Sequence, residues 1–257
     1  MTLPEAYQSQ VQNIHASPKF QLSDCGHWQA NPFPGYTVIT PPWVEATVNE
    51  QLYAQLQTFQ TTLLKQLPDN LVAPVPPDSL HLTLADLIWQ SAYSHASENP
   101  TFESQLRDRI TQSFQQYQLL ALEDTPIRWQ LLGLMVMPRA IGVCLAPRDE
   151  SSYARVLALR RAIYQNSALM ALGIEQQYHF TAHITLGYFG DVEAIAHSNS
   201  VSMPALAESL SHIFTALNEY WLTADAISEF RVDQAELRKF DDMTRYYREP
   251  KWPVLKF

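Results

Sequence analysis

Apolar residues recur along this chain in two periods. Val44, Val48, Leu52, Leu56, Phe59, Leu63 and Leu67 fall three and four positions apart, the spacing of a helix with one apolar face. Phe102, Leu106, Ile110, Phe114 and Tyr117 repeat that spacing, and so do Leu206, Leu210, Ile213, Leu217 and Trp221. Between these helical stretches lie shorter β-branched and aromatic runs at 36–40, 80–89, 127–137, 140–146, 179–189 and 226–232, which predict strands. Asp149 is placed to cap a further helix that runs toward Gly173. The first 32 residues show no period and read as an irregular segment, punctuated at their end by Pro32-Phe33-Pro34-Gly35. A charged, Pro-containing tail closes the chain.

The order strand–helix–strand–helix–strand therefore occurs twice. From Tyr36 to His81 is 45 positions and from Ala140 to His183 is 43. This near-equality predicts an internal duplication with approximate repeats at 36–138 and 140–234. The expected fold is α+β: one bilobal domain over 33–257, its two antiparallel-rich sheets flanked by helices around a central cleft, with strands open to exchange between the lobes.

Composition narrows what such a cleft handles. The 257 residues are 46% hydrophobic and 17% charged, enough to bury a sizeable core and too apolar for a disordered chain. No apolar run reaches the ~18 residues needed to cross a bilayer. The N-terminus has neither the basic head nor the apolar stretch of a signal peptide. Cys25 and Cys144 are too few for a disulfide framework, which suits a reducing cytoplasm. The formal net charge is −9, and residues 1–106 hold two basic side chains, Lys19 and Lys65, against nine acidic ones. Every arginine lies at or beyond Arg107. Binding to long nucleic acid leaves a basic footprint that this chain lacks, so a phosphate ligand is expected in a small pocket.

The matched strands of the two halves carry the chemistry. One reads Leu80-His81-Leu82-Thr83-Leu84-Ala85, the other Ala182-His183-Ile184-Thr185-Leu186-Gly187. With a period of two, His and Thr project from one face, about 6–7 Å apart, and the aliphatic residues face the core. The small residue that follows leaves room for a ligand. A single His-x-Thr is ordinary sheet surface; two at equivalent positions of a duplication are not. Two histidines and two threonines around one cleft suit metal-free phosphoryl hydrolysis. A neutral imidazole takes a proton from water, an imidazolium gives one to the leaving oxygen, and the hydroxyls bind non-bridging oxygens.

These motifs, His81-Leu82-Thr83-Leu84 and His183-Ile184-Thr185-Leu186, resemble the signature of the two-histidine (2H) phosphoesterase superfamily. The segments Pro32-Phe33-Pro34-Gly35-Tyr36-Thr37-Val38-Ile39, Phe180-Thr181-Ala182-His183 and Phe240-Asp241-Asp242-Met243 look most like an uncharacterised bacterial branch of it. The resemblance implies a bilobal protein in which His81 and His183 form the acid–base pair and Thr83 and Thr185 bind phosphate. It further implies cleavage, without cofactor or metal, of a small phosphodiester such as a 2′,3′-cyclic nucleotide or a short oligonucleotide. A binding module that captures a nucleotide or phosphorylated metabolite in the same cleft, and a ligase or transferase acting on RNA ends, are the alternatives.

Other residues are candidates on parity alone. Trp89 and Phe189 share strand parity with their histidines and are placed to stack on a base, although such residues are more often core or rim. His179 and Thr181 continue the face of His183. His179 and His183 also form H-x-x-x-H, but in a strand such side chains stand about 13 Å apart, so no zinc site is expected. Arg128, Arg139 and Arg231 lie in or beside strands and are available to a phosphate. Arg155, Arg160 and Arg161 read as the solvated face of their helix.

Overall fold

The computed structural model of the chain describes residues 7–45, 48–120, 125–177, 179–223 and 229–257. Its strands are β1 (Phe20–Leu22), β2 (Trp28–Ala30), β3 (Gly35–Ile39), β4 (Val72–Pro74), β5 (Thr83–Trp89), β6 (Ile127–Val136), β7 (Ala140–Pro147), β8 (His183–Phe189), β9 (Glu229–Val232), β10 (Gln234–Phe240), β11 (Tyr246–Tyr247) and β12 (Val254–Lys256). One sheet runs β11-β10-β3-β5, with β12 also on β10; the other runs β4-β8-β7-β6-β9, and every pair is antiparallel. With its flanking helices the architecture is α+β. Aliphatic and aromatic side chains from both sheets and all the long helices join in one contiguous core.

The sheets do not follow the repeats. The strand 127–136 stands beside β7 in the second sheet, and the corresponding place beside β3 is taken by β10. Conversely β4, from the first half, pairs with β8. The stretch expected to be a tail thus supplies a central strand: Ala235 and Leu237 are fully buried. A charged stretch conceals it because Glu236 and Arg238, both buried, pair with each other, and Arg238 also holds Glu45 at 2.6–2.8 Å. Of the predicted strand 226–232, residues 226–228 lie outside the described residues, and 229–232 forms β9.

Two helical expectations change. The first long helix begins at Glu50, and Val44 and Val48 are exposed ahead of it. The helix after Asp149 spans Glu150–Tyr164, with the Asp149 carboxylate accepting from the Ser152 amide at 2.8 Å, and a separate turn follows at Ser167–Met170. The segment before Phe33 is not irregular either. β1 and β2 form a hairpin, and the Ser17 amide donates to the Phe189 carbonyl at 2.8 Å.

Both motif strands break their ladders one residue past the threonine. Opposite β3, Leu84 is skipped between Thr83 and Ala85; opposite β7, Leu186 is skipped between Thr185 and Gly187. A bulge frees a carbonyl, and burial requires that it be paired. Arg160 donates to the Leu84 carbonyl at 2.8 Å. Gln60 donates to the Leu186 carbonyl at 2.7 Å and to that of Val75 at 2.8 Å. Each bulge is therefore held by a helix from the other half of the sequence. Arg155 and Arg160, read as a solvated face, are buried.

Gln60→Leu, which keeps the volume and removes the donors, should cost about 1–3 kcal/mol in urea unfolding. A stability equal to that of the wild type would show that the Leu186 bulge does not need this brace.

Candidate active site

His81 stands at the approach to β5 and His183 opens β8. The two are held in the same way. His81 Nδ1 lies 2.7 Å from the Ser79 carbonyl, and His183 Nδ1 lies 2.7 Å from the Thr181 carbonyl. A carbonyl only accepts, so each Nδ1 carries the proton and each neutral ring leaves Nε2 as a free lone pair. Both histidines, with Thr83 and Thr185, line a single cleft of about 570 Å³ between the sheets. Its walls are aromatic, with Phe33, Trp89, Tyr188, Phe240 and Tyr246. Tyr246 packs edge-on against the His81 ring at 4.2 Å, and its carbonyl accepts from Arg238 at 3.2 Å.

Burial disfavours the charged form of His81 and pushes its pKa down to about 4; the Ser79 carbonyl opposes this, while His183 and Arg238 add to it. His81 is thus a neutral imidazole through the physiological range. Asp86 reaches the cleft from the same strand, and burial raises its carboxyl above the usual range against the pull of Lys19, His183 and Arg160.

Residues 26–136 match the family described as "2H-phosphodiest: Domain of unknown function (DUF1868)". That segment of the chain is similar to the 2H-phosphodiesterase family. It carries the first motif; the second lies beyond the match, on a strand that repeats the geometry of the first. Curated proteins offer no match. Among solved structures, a conserved protein of unknown function from Agrobacterium tumefaciens is similar at a TM-score of 0.53 and 17% identity, over 91% of this chain and 90% of that one. That likeness shows a shared fold. Apo LigT from E. coli (TM-score 0.42, 16% identity, 88% of this chain and 100% of that one) and Usb1 from Kluyveromyces marxianus (TM-score 0.47, 12% identity, 88% and 99%) resemble the chain more loosely.

The cleft keeps some of the residues expected from parity and loses others. Trp89 lines it, whereas Phe189 is buried in the core and absent from the wall. The bulges explain the difference. β5 has two irregularities, at Leu84 and Leu87, so its cleft face runs Thr83, Asp86, Trp89 and parity is restored at the end. β8 has one, so its face runs His183, Thr185, Tyr188. Asp86 and Tyr188 therefore occupy equivalent positions, and strict alternation misses both. His179 precedes β8, is exposed, and lies off the cleft with its carbonyl toward Arg160. The small residues after the motifs do not make room for a ligand: Ala85 is buried off the cleft, and a side chain at Gly187 would meet Val72 and, at 2.8 Å, the Ala73 carbonyl on β4.

Arg139 is at the rim, while Arg128 and Arg231 pair with Glu229 at 2.8 and 2.9 Å, away from it. Lys19, Ser17 and Pro18 complete the wall from the segment before β1. Among the described residues, no three His, Cys, Asp or Glu side chains converge to hold a metal ion, and no helix is long and apolar enough to cross a membrane.

A histidine whose pKa lies lower folded than unfolded costs stability as it is forced to protonate. Between its ordinary value of 6.5 and about 4, the unfolded chain binds a proton at His81 that the folded chain refuses, so stability falls as pH drops through that window. His81→Gln should flatten that part of a urea-derived stability curve. An unchanged slope would place the titration of His81 at its unfolded value.

Proposed function

We propose that the chain is a metal-independent phosphodiesterase that hydrolyses a small 2′,3′-cyclic or short oligonucleotide phosphodiester. One observation carries the reading: two histidines, each with Nδ1 tied to the carbonyl two residues earlier, share one cleft with the two threonines of their motifs. The affinity of residues 26–136 for the 2H-phosphodiesterase family supports it.

In this mechanism neutral His81 is the general base. Its Nε2 takes a proton from water as the water oxygen attacks phosphorus. His183 is the general acid: it gives a proton to the leaving oxygen as the P–O bond breaks, so the two histidines exchange charge states once per turnover. The anionic phosphodiester favours a protonated imidazole beside it. Thr83 and Thr185 donate hydrogen bonds to the non-bridging oxygens, where charge builds in the transition state. Trp89 offers a base a stacking surface. The size of the cleft and the acidity of the chain favour a short substrate over long nucleic acid.

Turnover of 2′,3′-cyclic nucleotides and of 2′–5′ and 3′–5′ dinucleotides in EDTA tests the reading. His81→Ala and His183→Ala should each lower kcat about 10²–10⁴-fold. A loss below tenfold for either histidine removes it from the role assigned here, and saturable binding without any turnover assigns the cleft to ligand capture.

A further inference from the structure

The motif residues meet one requirement only in part: in the proposed mechanism His183 alone among them carries positive charge, and it gives that proton to the leaving oxygen. A phosphodiester brings a negative charge into a cleft walled by aromatic rings, and His81, held neutral, supplies no charge before the proton transfer. Placing an anion in such a site is costly without a cation close by. Arg139 is exposed at the rim. Lys19 lies within the wall.

Lys19 is one of two basic residues in the first 106, and it does not belong to the two-motif framework. It precedes the segment that matches the 2H family, which begins at residue 26. The chain nevertheless fixes it firmly. Ser17, two residues earlier, is hydrogen-bonded to the Phe189 carbonyl at 2.8 Å, and Asn31 on the return strand holds both the Lys19 and Pro18 carbonyls at 2.8–2.9 Å. Phe20 stacks on Tyr188 at 5.6 Å. The Lys19 ammonium is seated over two rings, 4.6 Å from the centroid of Phe33 and 4.8 Å from that of Tyr188.

Its polar contacts are few. Nζ reaches the Tyr188 hydroxyl at 3.4 Å, and among the described residues no carboxylate lies within ion-pair distance of it. An ammonium has three donors, so this one has spare capacity. The Tyr188 hydroxyl in turn interacts with the side chain of Thr185, one of the two proposed phosphate-binding threonines. Asp86, across the cleft at the position equivalent to Tyr188, feels the charge of Lys19.

We infer that Lys19 is a ligand of the substrate's phosphoryl group, delivered by the N-terminal hairpin and acting beside Thr185. The inference rests on the phosphodiester reading of the cleft and adds to it a residue outside both motifs. Lys19 breaks the pseudo-symmetry of the site, because its ammonium stands on the second-motif side. A substrate is then oriented with its anionic oxygen toward Thr185 and Lys19. Burial lowers the Lys19 pKa to about 8, against the pull of Asp86, which leaves the amine protonated at neutral pH.

Calorimetric titration with inorganic phosphate at low salt, run beside turnover of a 2′,3′-cyclic nucleotide, tests this without depending on catalysis. Lys19→Met should weaken phosphate binding about tenfold or more and raise KM by a similar factor. Lys19→Arg should restore most of both, and Lys65→Met, which alters an exposed helix position, should change neither. Melting temperatures of the Lys19 variants close to that of the wild type separate binding from folding. Phosphate affinity and KM unchanged in Lys19→Met overturn the inference and leave the phosphodiesterase reading standing. A wild type that neither binds phosphate nor turns over any diester overturns both.

Discussion

A carbonyl left over in a buried strand must find a donor, and this requirement organises the cleft. Each motif strand skips one residue immediately after its threonine, and each orphaned carbonyl is taken by a side chain from a helix of the opposite half: Leu84 by Arg160, Leu186 by Gln60. The bulges turn the strands so that residues three past each threonine, Asp86 and Tyr188, enter the cleft. The braces tie the halves together at the point where the histidines face each other. Geometry at the site and stability of the body are therefore one problem, since loosening a brace moves the motif strand it holds.

The exchange of strands between halves works to the same end. β10 brings Arg238 beneath the first motif, and the chain that follows it brings Tyr246 against His81. Arg238 is compensated by Glu236 and Glu45, so a buried cation is tolerated there; its field adds to the burial that keeps His81 neutral. The two histidines share a backbone anchor and differ in their surroundings. A duplicated pair of motifs becomes an ordered pair, one ring buried beneath Tyr246 and the other beside the Lys19–Tyr188 wall.

The N-terminal hairpin extends this asymmetry. Its first strand precedes the matched segment, and it places Lys19 and Phe20 on Tyr188, the residue that the bulge in β8 presents to the cleft. Under the proposed mechanism the motifs supply acid–base chemistry from both sides and the N-terminal hairpin supplies the binding polarity, so the framework and the element that orients the ligand need not be contiguous.

Local pattern was enough to reveal the helices from 102 and 203 onward, the strands β3, β5, β6, β7, β8 and β9, and the pairing of His81-x-Thr83 with His183-x-Thr185, because periodicity and spacing are properties of neighbouring residues. The convergence of those four side chains on one cleft agrees with what the matched spacing led one to expect. Tertiary structure alone decided the rest. Strict alternation carries Phe189 into the cleft and leaves Tyr188 out; a bulge, which no local hydrophobic pattern marks, reverses them. The charges of 236–249 read as a solvated tail because a buried ion pair and an exposed one have the same composition, and only the partner across the sheet separates β10 from a tail. Lys19 stands 62 residues from His81 and 164 from His183. Its place beside the site depends on where a hairpin docks, and docking is set by contacts that sequence distance does not encode.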